Sequence, residues 1–158
     1  SVTSTVYCTQ NSIVYYRSAV DNATSYQWQL NTGSGWVNLD ESSTYAGVKE
    51  QTLKIMHPPT NWYGYQYRCL TEGSSQQLFT LKFNDTWTGA IDDDWHNPAN
   101  WCCYGVPDAN TDVYVDPSTT IKPRIKTTAV CRSLLLKSGS HIIIEPGATL
   151  EVSGRPKQ

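Results

Sequence analysis

The sequence predicts an all-β protein, with an immunoglobulin-like β-sandwich followed by a second small β module that is either a β-sandwich or the start of a β-solenoid. Three observations predict it. Short runs of β-branched and aromatic residues alternate with Gly, Pro, Asn and Ser turns. No segment of the first half has the periodicity of an amphipathic helix. Tyr67 stands two residues before Cys69, with Trp28 on an earlier strand and Cys8 earlier still. This order is typical of the buried core of an immunoglobulin-like sandwich, in which a tryptophan packs against a disulfide between the two sheets.

Residues 1–84 are assigned to the sandwich because turn signals cut this half into about seven short strands. Tyr65, Tyr67 and Cys69 share one parity, so on a strand their side chains face the same side. Two glycines shape a tight hairpin before Trp36, and two prolines after His57 end a ladder because proline lacks the N–H donor. The predicted strands are Ser1–Tyr7, Ile13–Ser18, Ser25–Leu30, Trp36–Leu39, Gln51–Ile55, Gly64–Thr71 and Gln76–Phe83.

Residues 85–158 are assigned to the second module, because the residue composition and the strand pattern change there. Three tryptophans stand close together, followed by a turn and a short strand. Short apolar strands that end in glycine turns then repeat, as in the stacked strands of a β-solenoid or a β-sandwich. The predicted strands are Asp112–Val115, Leu134–Leu136, Ile142–Ile144 and Leu150–Val152.

Composition limits the classes of function. The 158 residues suffice for one large domain or two small ones. The net charge of −2 gives no basic footprint for nucleic acid or for an anionic membrane. No apolar run approaches the roughly 20 residues of a membrane helix, so membrane insertion is not expected.

The five cysteines contain no CxxC pair, which makes a zinc ribbon or a thioredoxin-like site a weak interpretation. Their wide spacing in a Thr-, Ser- and Asn-rich β chain favours disulfides formed in an oxidising compartment. The immunoglobulin-like pattern predicts a bond between Cys8 and Cys69. The odd count leaves one thiol over, or one intermolecular link.

Both halves also resemble known families. The segments YQWQLNTGSGWVNL, TYAG, TLKI and GYQYRCL resemble the immunoglobulin-like repeats of secreted surface proteins of Bacteroidetes, over Ser1 to Phe83. The segments WTGAIDDDWHNPANW, GVPDANTDVYV and VCRSLLLKSGSHIIIEPGATLEVSG are similar to a module of adhesin-like, type IX-secreted proteins of the same bacteria, which often precedes or begins a β-helical region. The resemblance implies an extracellular or cell-surface location and a fragment of a longer protein. It also implies a Cys102–Cys131 disulfide, with Cys103 as the spare cysteine.

Aromatic residues are the first candidates for a binding site. Trp36, Trp62 and Tyr63 stand in or beside loops, where the core needs no large ring, so they are the predicted ligand-binding residues. The cluster Trp87, Trp95 and Trp101 could instead form a sugar-stacking platform, or it could fill the core of the second module. The core interpretation is favoured, since tryptophan is usually buried.

The acidic run Asp92–Asp94 could bind calcium through closely spaced oxygens, but it lacks the ligand spacing of an EF-hand. A solvated loop is favoured. No metal and no cofactor are expected. No pair of carboxylates or Cys–His arrangement stands out for catalysis, so the chain is not expected to be an enzyme.

The sequence thus favours a non-catalytic extracellular module of a larger secreted or surface protein. Its expected role is cell adhesion or polysaccharide binding, with a polysaccharide or another surface protein as partner, and the chain is expected to be a monomer. Two alternatives stay open. The modules are purely structural spacers, or they form the non-catalytic front of a β-helical carbohydrate-active enzyme.

Overall fold

The computed structural model describes residues 2–8, 12–75 and 77–154, and the protein is all-β. Ser1 and Gln76, which are predicted to lie in strands, and residues 155–158 of the second predicted domain lie outside the described residues. In the described part, the only helical segments are the single 3-10 turns Thr60–Trp62 and Pro98–Asn100, and no helix is long and apolar enough to cross a membrane. The strands are β1 (Val2–Tyr7), β2 (Ile13–Arg17), β3 (Tyr26–Asn31), β4 (Trp36–Asn38), β5 (Tyr45–Ala46), β6 (Thr52–Met56), β7 (Gln66–Thr71), β8 (Ser74–Ser75), β9 (Leu78–Thr86), β10 (Asp112–Val115), β11 (Arg124–Ile125), β12 (Thr128–Cys131), β13 (Ser133–Leu136), β14 (Ile143–Ile144) and β15 (Thr149–Val152).

The chain divides into two compact units. Of the described residues, the first unit contains 2–7, 12–75 and 77–82. The second contains Cys8 and 83–154. The division falls between Lys82 and Phe83, inside β9, so the first part of this strand belongs to one unit and its last part to the other.

The first unit is an immunoglobulin-like sandwich of two sheets. One sheet has the antiparallel order β2-β6-β5. The other has the order β9-β7-β3-β4, with β1 beside β9 and the short β8 beside β7. This is how an immunoglobulin-like fold shares its strands between two sheets. The prediction of fold class is therefore confirmed.

Aromatic side chains between the two sheets form the core of the first unit. The Tyr16 ring on β2 stacks on Phe79 of β9 at 4.6 Å between centroids and lies 5.5 Å from the Tyr67 ring of β7. Trp28 is fully buried, and its indole N–H donates to the carbonyl of Glu50 at 2.9 Å. Aromatic rings bury large apolar areas, so a few of them suffice to hold such a small sandwich together.

The second unit consists of stacked parallel strands. β10 pairs with β13, β11 with β14 and β12 with β15, and every one of these pairs is parallel. One coil therefore contributes β10, β11 and β12, and the next coil places β13, β14 and β15 beside them, which is the geometry of a β-solenoid. Above the first coil, the last part of β9 pairs with β10, and Asp94 forms a parallel bridge with Arg124.

The three tryptophans of the second unit form the upper part of its core. Trp87, Trp95 and Trp101 are at most 1% exposed, and Trp101 meets the other two rings edge to face at 5.3 and 4.8 Å. They pack with the inward side chains of the first coil. This confirms the core interpretation, and buried indoles leave no platform on which a sugar could stack.

The disulfide predictions were wrong. The chain has one disulfide, Cys8–Cys103, while Cys69, Cys102 and Cys131 carry free thiols. Cys8 belongs to the second unit together with its partner. The predicted spare cysteine, Cys103, is thus the one that is bonded.

Two local features explain why the predicted pairs do not form. In the sandwich, the buried Ser18 at the end of β2 faces Cys69 and hydrogen-bonds its thiol, so a serine occupies the place of the first cysteine of the immunoglobulin pattern. In the second unit, Cys102 is exposed, whereas Cys131 is fully buried in the core. Cys102 and Cys103 are the central residues of a turn closed by a hydrogen bond from the Tyr104 N–H to the Trp101 carbonyl at 3.0 Å, and in this turn Cys103 is buried whereas Cys102 is exposed.

Candidate functional site

The outer face of the larger sheet in the first unit carries the candidate site. Trp28 and Cys69 are paired residues of β3 and β7, and both are buried, so they mark the inner face. Gln29 and Arg68, one position along each strand, therefore lie on the outer face. Asn38 of β4 is paired with Gln29 and continues the same row.

These outer side chains form one connected network with Trp36. The Gln29 amide donates to Asn38 Oδ1 at 2.8 Å, and Arg68 Nε donates to Gln29 Oε1 at 2.8 Å. The Arg68 guanidinium lies over the Trp36 ring, 4.3 Å from its centroid. A guanidinium on an indole is a stabilising cation–π contact, worth about 0.5–1 kcal/mol at an exposed site. The network holds Trp36 in a fixed orientation on the sheet.

The chemistry of this face suits a polar ligand with apolar patches. The next row contains Trp36, Asn31, Gln66 and Thr80, one on each of four neighbouring strands, so the half-buried indole stands at one end of a row of two amides and one hydroxyl. Within the described part of the chain, Arg68 has no acidic partner. Its charge is thus available to a ligand carboxylate or sulfate, while the amides can pair with hydroxyls.

The predicted ligand residues have different surroundings. Trp36 is half-buried on the face just described. Trp62 is also half-buried, but it stacks on Tyr45 at 6.1 Å and on Tyr65 at 5.4 Å, so other rings already occupy part of its surface. Tyr63 is only 6% exposed, and its ring therefore belongs to the interior rather than to a binding surface. The structure does not bring Trp36 together with Trp62 through any ring contact between described residues.

The acidic run of the second unit organises a loop. Asp92 accepts from Asn100 Nδ2 at 2.6 Å, and hydrogen bonds, first of all this one, lower the pKa of its carboxyl. Asp93 pairs with Arg124 at 3.0 Å, and Asp94 accepts from the backbone N–H of His96. These carboxylates are engaged with protein groups, and no group of three or more His, Cys, Asp or Glu residues in the described ranges is placed to hold a metal ion.

Asn100, inside the NPANW segment, is the structural centre of this loop. It is fully buried, and its Oδ1 accepts from the backbone N–H groups of Ile91 and Asp92 at 2.9 and 3.0 Å. Its Nδ2 also donates to the carbonyl of Asp94 at 2.9 Å. Asn97 accepts from the backbone N–H of Ala99 at the start of the short 3-10 turn. Asn100 and Trp101, the buried residues of the NPANW segment, thus serve the fold.

Burial shifts the pKa of several ionisable groups among the described residues. Burial raises the pKa of the Cys69 thiol, and likewise that of Cys131, to about 11, which keeps both thiols protonated and weakly nucleophilic. Burial also raises the pKa of Asp85 to about 6. Asp85 Oδ1 accepts from the backbone N–H groups of Thr86 and Cys103 at 2.9 and 3.0 Å, which is a structural role.

Sequence reasoning named Trp36 as a candidate but not Gln29, Asn38 or Arg68. The signal was present in the strand alternation, because the YQWQ and YQYR segments place a glutamine and an arginine on the parity opposite to the buried residues. What the sequence alone could not supply is the register that sets Arg68 beside Gln29 and over Trp36.

Comparison with known proteins adds one match. The fold and the outer face define an all-β, two-unit protein with a polar, aromatic surface on its sandwich. Residues 86–155 match the model of a protein family described as Domain of unknown function (DUF8693). This stretch includes the three core tryptophans and both coils of the second unit. A search of curated proteins found no match.

Proposed function

We propose that this chain is a non-catalytic, extracellular module of a larger secreted or surface protein, and that it binds polysaccharide through the outer face of its sandwich. The network of Trp36, Arg68, Gln29 and Asn38 carries this proposal. Arg68 covers one face of the Trp36 ring, so the proposal assigns the other face of the indole as the apolar surface for the C–H face of a sugar ring, while amides hydrogen-bond the sugar hydroxyls. The Cys8–Cys103 disulfide supports an oxidising compartment.

Arg68 refines the class of ligand. With no acidic partner in the described part of the chain, its guanidinium can form a bidentate pair with a uronic acid carboxylate or with a sulfate. We therefore expect acidic polysaccharides to bind better than neutral ones, with an affinity that falls as salt concentration rises.

The test is retention of the purified chain on immobilised polygalacturonate and on cellulose, at low and high salt. Retention lost in both Trp36→Ala and Asn38→Ala supports the proposal. The matched control is Tyr15→Ala, which removes a 52% exposed aromatic side chain from the opposite sheet and should leave retention intact. Absence of retention on either glycan, with all variants folded by circular dichroism, would refute the proposal and favour a structural spacer.

One observation favours a second candidate function. The parallel pairing of the second unit is the strand arrangement of a β-solenoid. This supports the role of a non-catalytic front of a β-helical carbohydrate-active enzyme. An active parent protein that loses substrate affinity, but not turnover, when residues 1–158 are deleted would bear this out.

A further inference from the structure

The two coils of the second unit use the same kind of side chain at equivalent inward positions. Strand register pairs each buried residue of the first coil with an aliphatic residue of the second coil. All five positions of the first coil are at most 3% exposed. The pairs are Val113–Leu134, Val115–Leu136, Ile125–Ile144, Ala129–Leu150 and Cys131–Val152.

The second coil repeats the chemistry of the first but not its burial. Leu136 is 41% exposed, Ile144 48% and Val152 49%, while Leu134 and Leu150 are half-buried. These residues form the end face of the solenoid. The positions between them point outward and are mixed in character, since Glu151, opposite Val130, is charged, whereas Leu135 is aliphatic and 50% exposed. It is therefore the register with the buried first coil that marks the five side chains as an inward layer, and no described residue covers that layer.

The backbone at this end is also incompletely paired. In the described part of the chain, β13, β14 and β15 each pair on one side only. The other edge of each strand presents N–H and C=O groups to a further strand. The end face is thus an apolar surface bordered by three strand edges with unpaired backbone groups, which matches a further coil of three strands.

We propose that this end face, formed by Leu134, Leu136, Ile144, Leu150 and Val152, is the docking surface for a third coil of parallel β-strands with aliphatic inward side chains. The occupant repeats the contact that already exists between the first and second coils. It satisfies all three edges at once and buries the five side chains as the first coil buries its own. This inference is independent of polysaccharide binding by the sandwich.

A second copy of the chain fits less well. Two identical end faces related by a two-fold axis would bring their strands together in antiparallel orientation, whereas all the coil contacts here are parallel. Head-to-tail stacking would need a free end above the first coil. That end is occupied by the last part of β9 and by the Asp94–Arg124 bridge.

The experiment adds a third coil by repeating residues 133–154 directly after Gly154 in the full chain. We expect the amides of β13 and β15 to gain at least about tenfold in hydrogen-exchange protection, because they become interior strands. We also expect less binding of a hydrophobic dye and a higher melting temperature. The matched control carries the same added segment with its copies of Leu136, Ile144 and Val152 replaced by serine, and it should give none of these changes.

Testing Ile144→Ser in both the original and the extended chain gives a second measurement if one variant folds poorly. Ile144→Ser should leave the melting temperature of the original chain nearly unchanged, because Ile144 is already exposed, and should lower it clearly in the extended chain. Unchanged protection of β13 and β15 in the extended chain would overturn the proposal. So would a stable dimer of the original chain that protects the same amides and is abolished by Ile144→Ser, since the occupant would then be a second copy.

Discussion

Restoring the missing cysteine of the sandwich gives a sharp test of its geometry. Ser18 is 4% exposed at the end of β2, and its side chain is a hydrogen-bond partner of the Cys69 thiol. The variant Ser18→Cys should therefore form a disulfide with Cys69 between the two sheets. The two wild-type side chains are hydrogen-bond partners, so we expect the disulfide to form with little movement of the backbone.

The expected gain follows from chain entropy. A bond between positions 18 and 69 closes a loop of about 50 residues, which in the chain-entropy model stabilises the folded state by about 4 kcal/mol. The substitution also removes the hydrogen bond that Ser18 Oγ accepts from the backbone N–H of Val20 at 3.2 Å and the one between Ser18 and the Cys69 thiol, and each of these losses costs about 1 kcal/mol. The net effect should thus be a clear increase in the free energy of unfolding.

Two measurements check this prediction. Thiol titration of the denatured, unreduced protein should fall from the three free thiols of the natural chain to two in Ser18→Cys. Urea unfolding under non-reducing conditions should show a higher midpoint. The double variant Ser18→Cys with Cys69→Ser cannot form the bond and serves as the control. Four free thiols in Ser18→Cys would refute the assignment of Ser18 as the residue that faces Cys69.

Three further predictions concern the second unit. Asn100→Ala removes the four hydrogen bonds of a fully buried side chain and should lower the free energy of unfolding by about 3 kcal/mol or more in urea, whereas the capping variant Asn97→Ala should cost about 1 kcal/mol. Because the pKa of Asp85 is raised to about 6, ionisation of this carboxyl opposes folding, and the free energy of unfolding should fall by up to about 3 kcal/mol as the pH rises from about 4 through about 6. Asp85→Asn should remove this fall, and equal pH profiles of stability for the two proteins would contradict the prediction. Cys103→Ser opens a loop with a sequence separation of 95 and should lower stability by about 4.7 kcal/mol without reductant, while Cys102→Ser, at an exposed free thiol, should change the urea midpoint little.

Much of the fold could be predicted because it depends on local patterns. The alternation of apolar and polar residues around Trp28 and Tyr67 defines an inner face for each strand, whichever strands it pairs with. The glycine turns after Leu136 and Ile144 predict short, repeated strands. The three tryptophans of the second unit could be assigned to a core because large apolar rings are rarely left in water.

What could not be predicted depends on pairing in three dimensions. Five cysteines permit many connectivities, and the choice of Cys103 over Cys102 depends on which of two adjacent side chains points inward. The sequence does not reveal that Ser18 takes the place of the first cysteine of the immunoglobulin pattern, because Cys8 is present to complete that pattern. Likewise, Arg68 becomes a candidate binding residue only through the strand register that places it over Trp36, and that register cannot be derived from the spacing of residues in the sequence.

The disulfide also decides where the chain carries mechanical load. Cys8 and Cys103 are covalently joined, so tension applied at the two ends of the chain bypasses every residue between them. Strands β2 to β8 and all of β9 lie within that bypassed loop. Pulling would act on β1 and on the coils beyond Cys103, and the rest of the sandwich would remain folded under a force that unravels the coils. The face around Trp36 would then keep its shape while the coils beyond Cys103 are stretched.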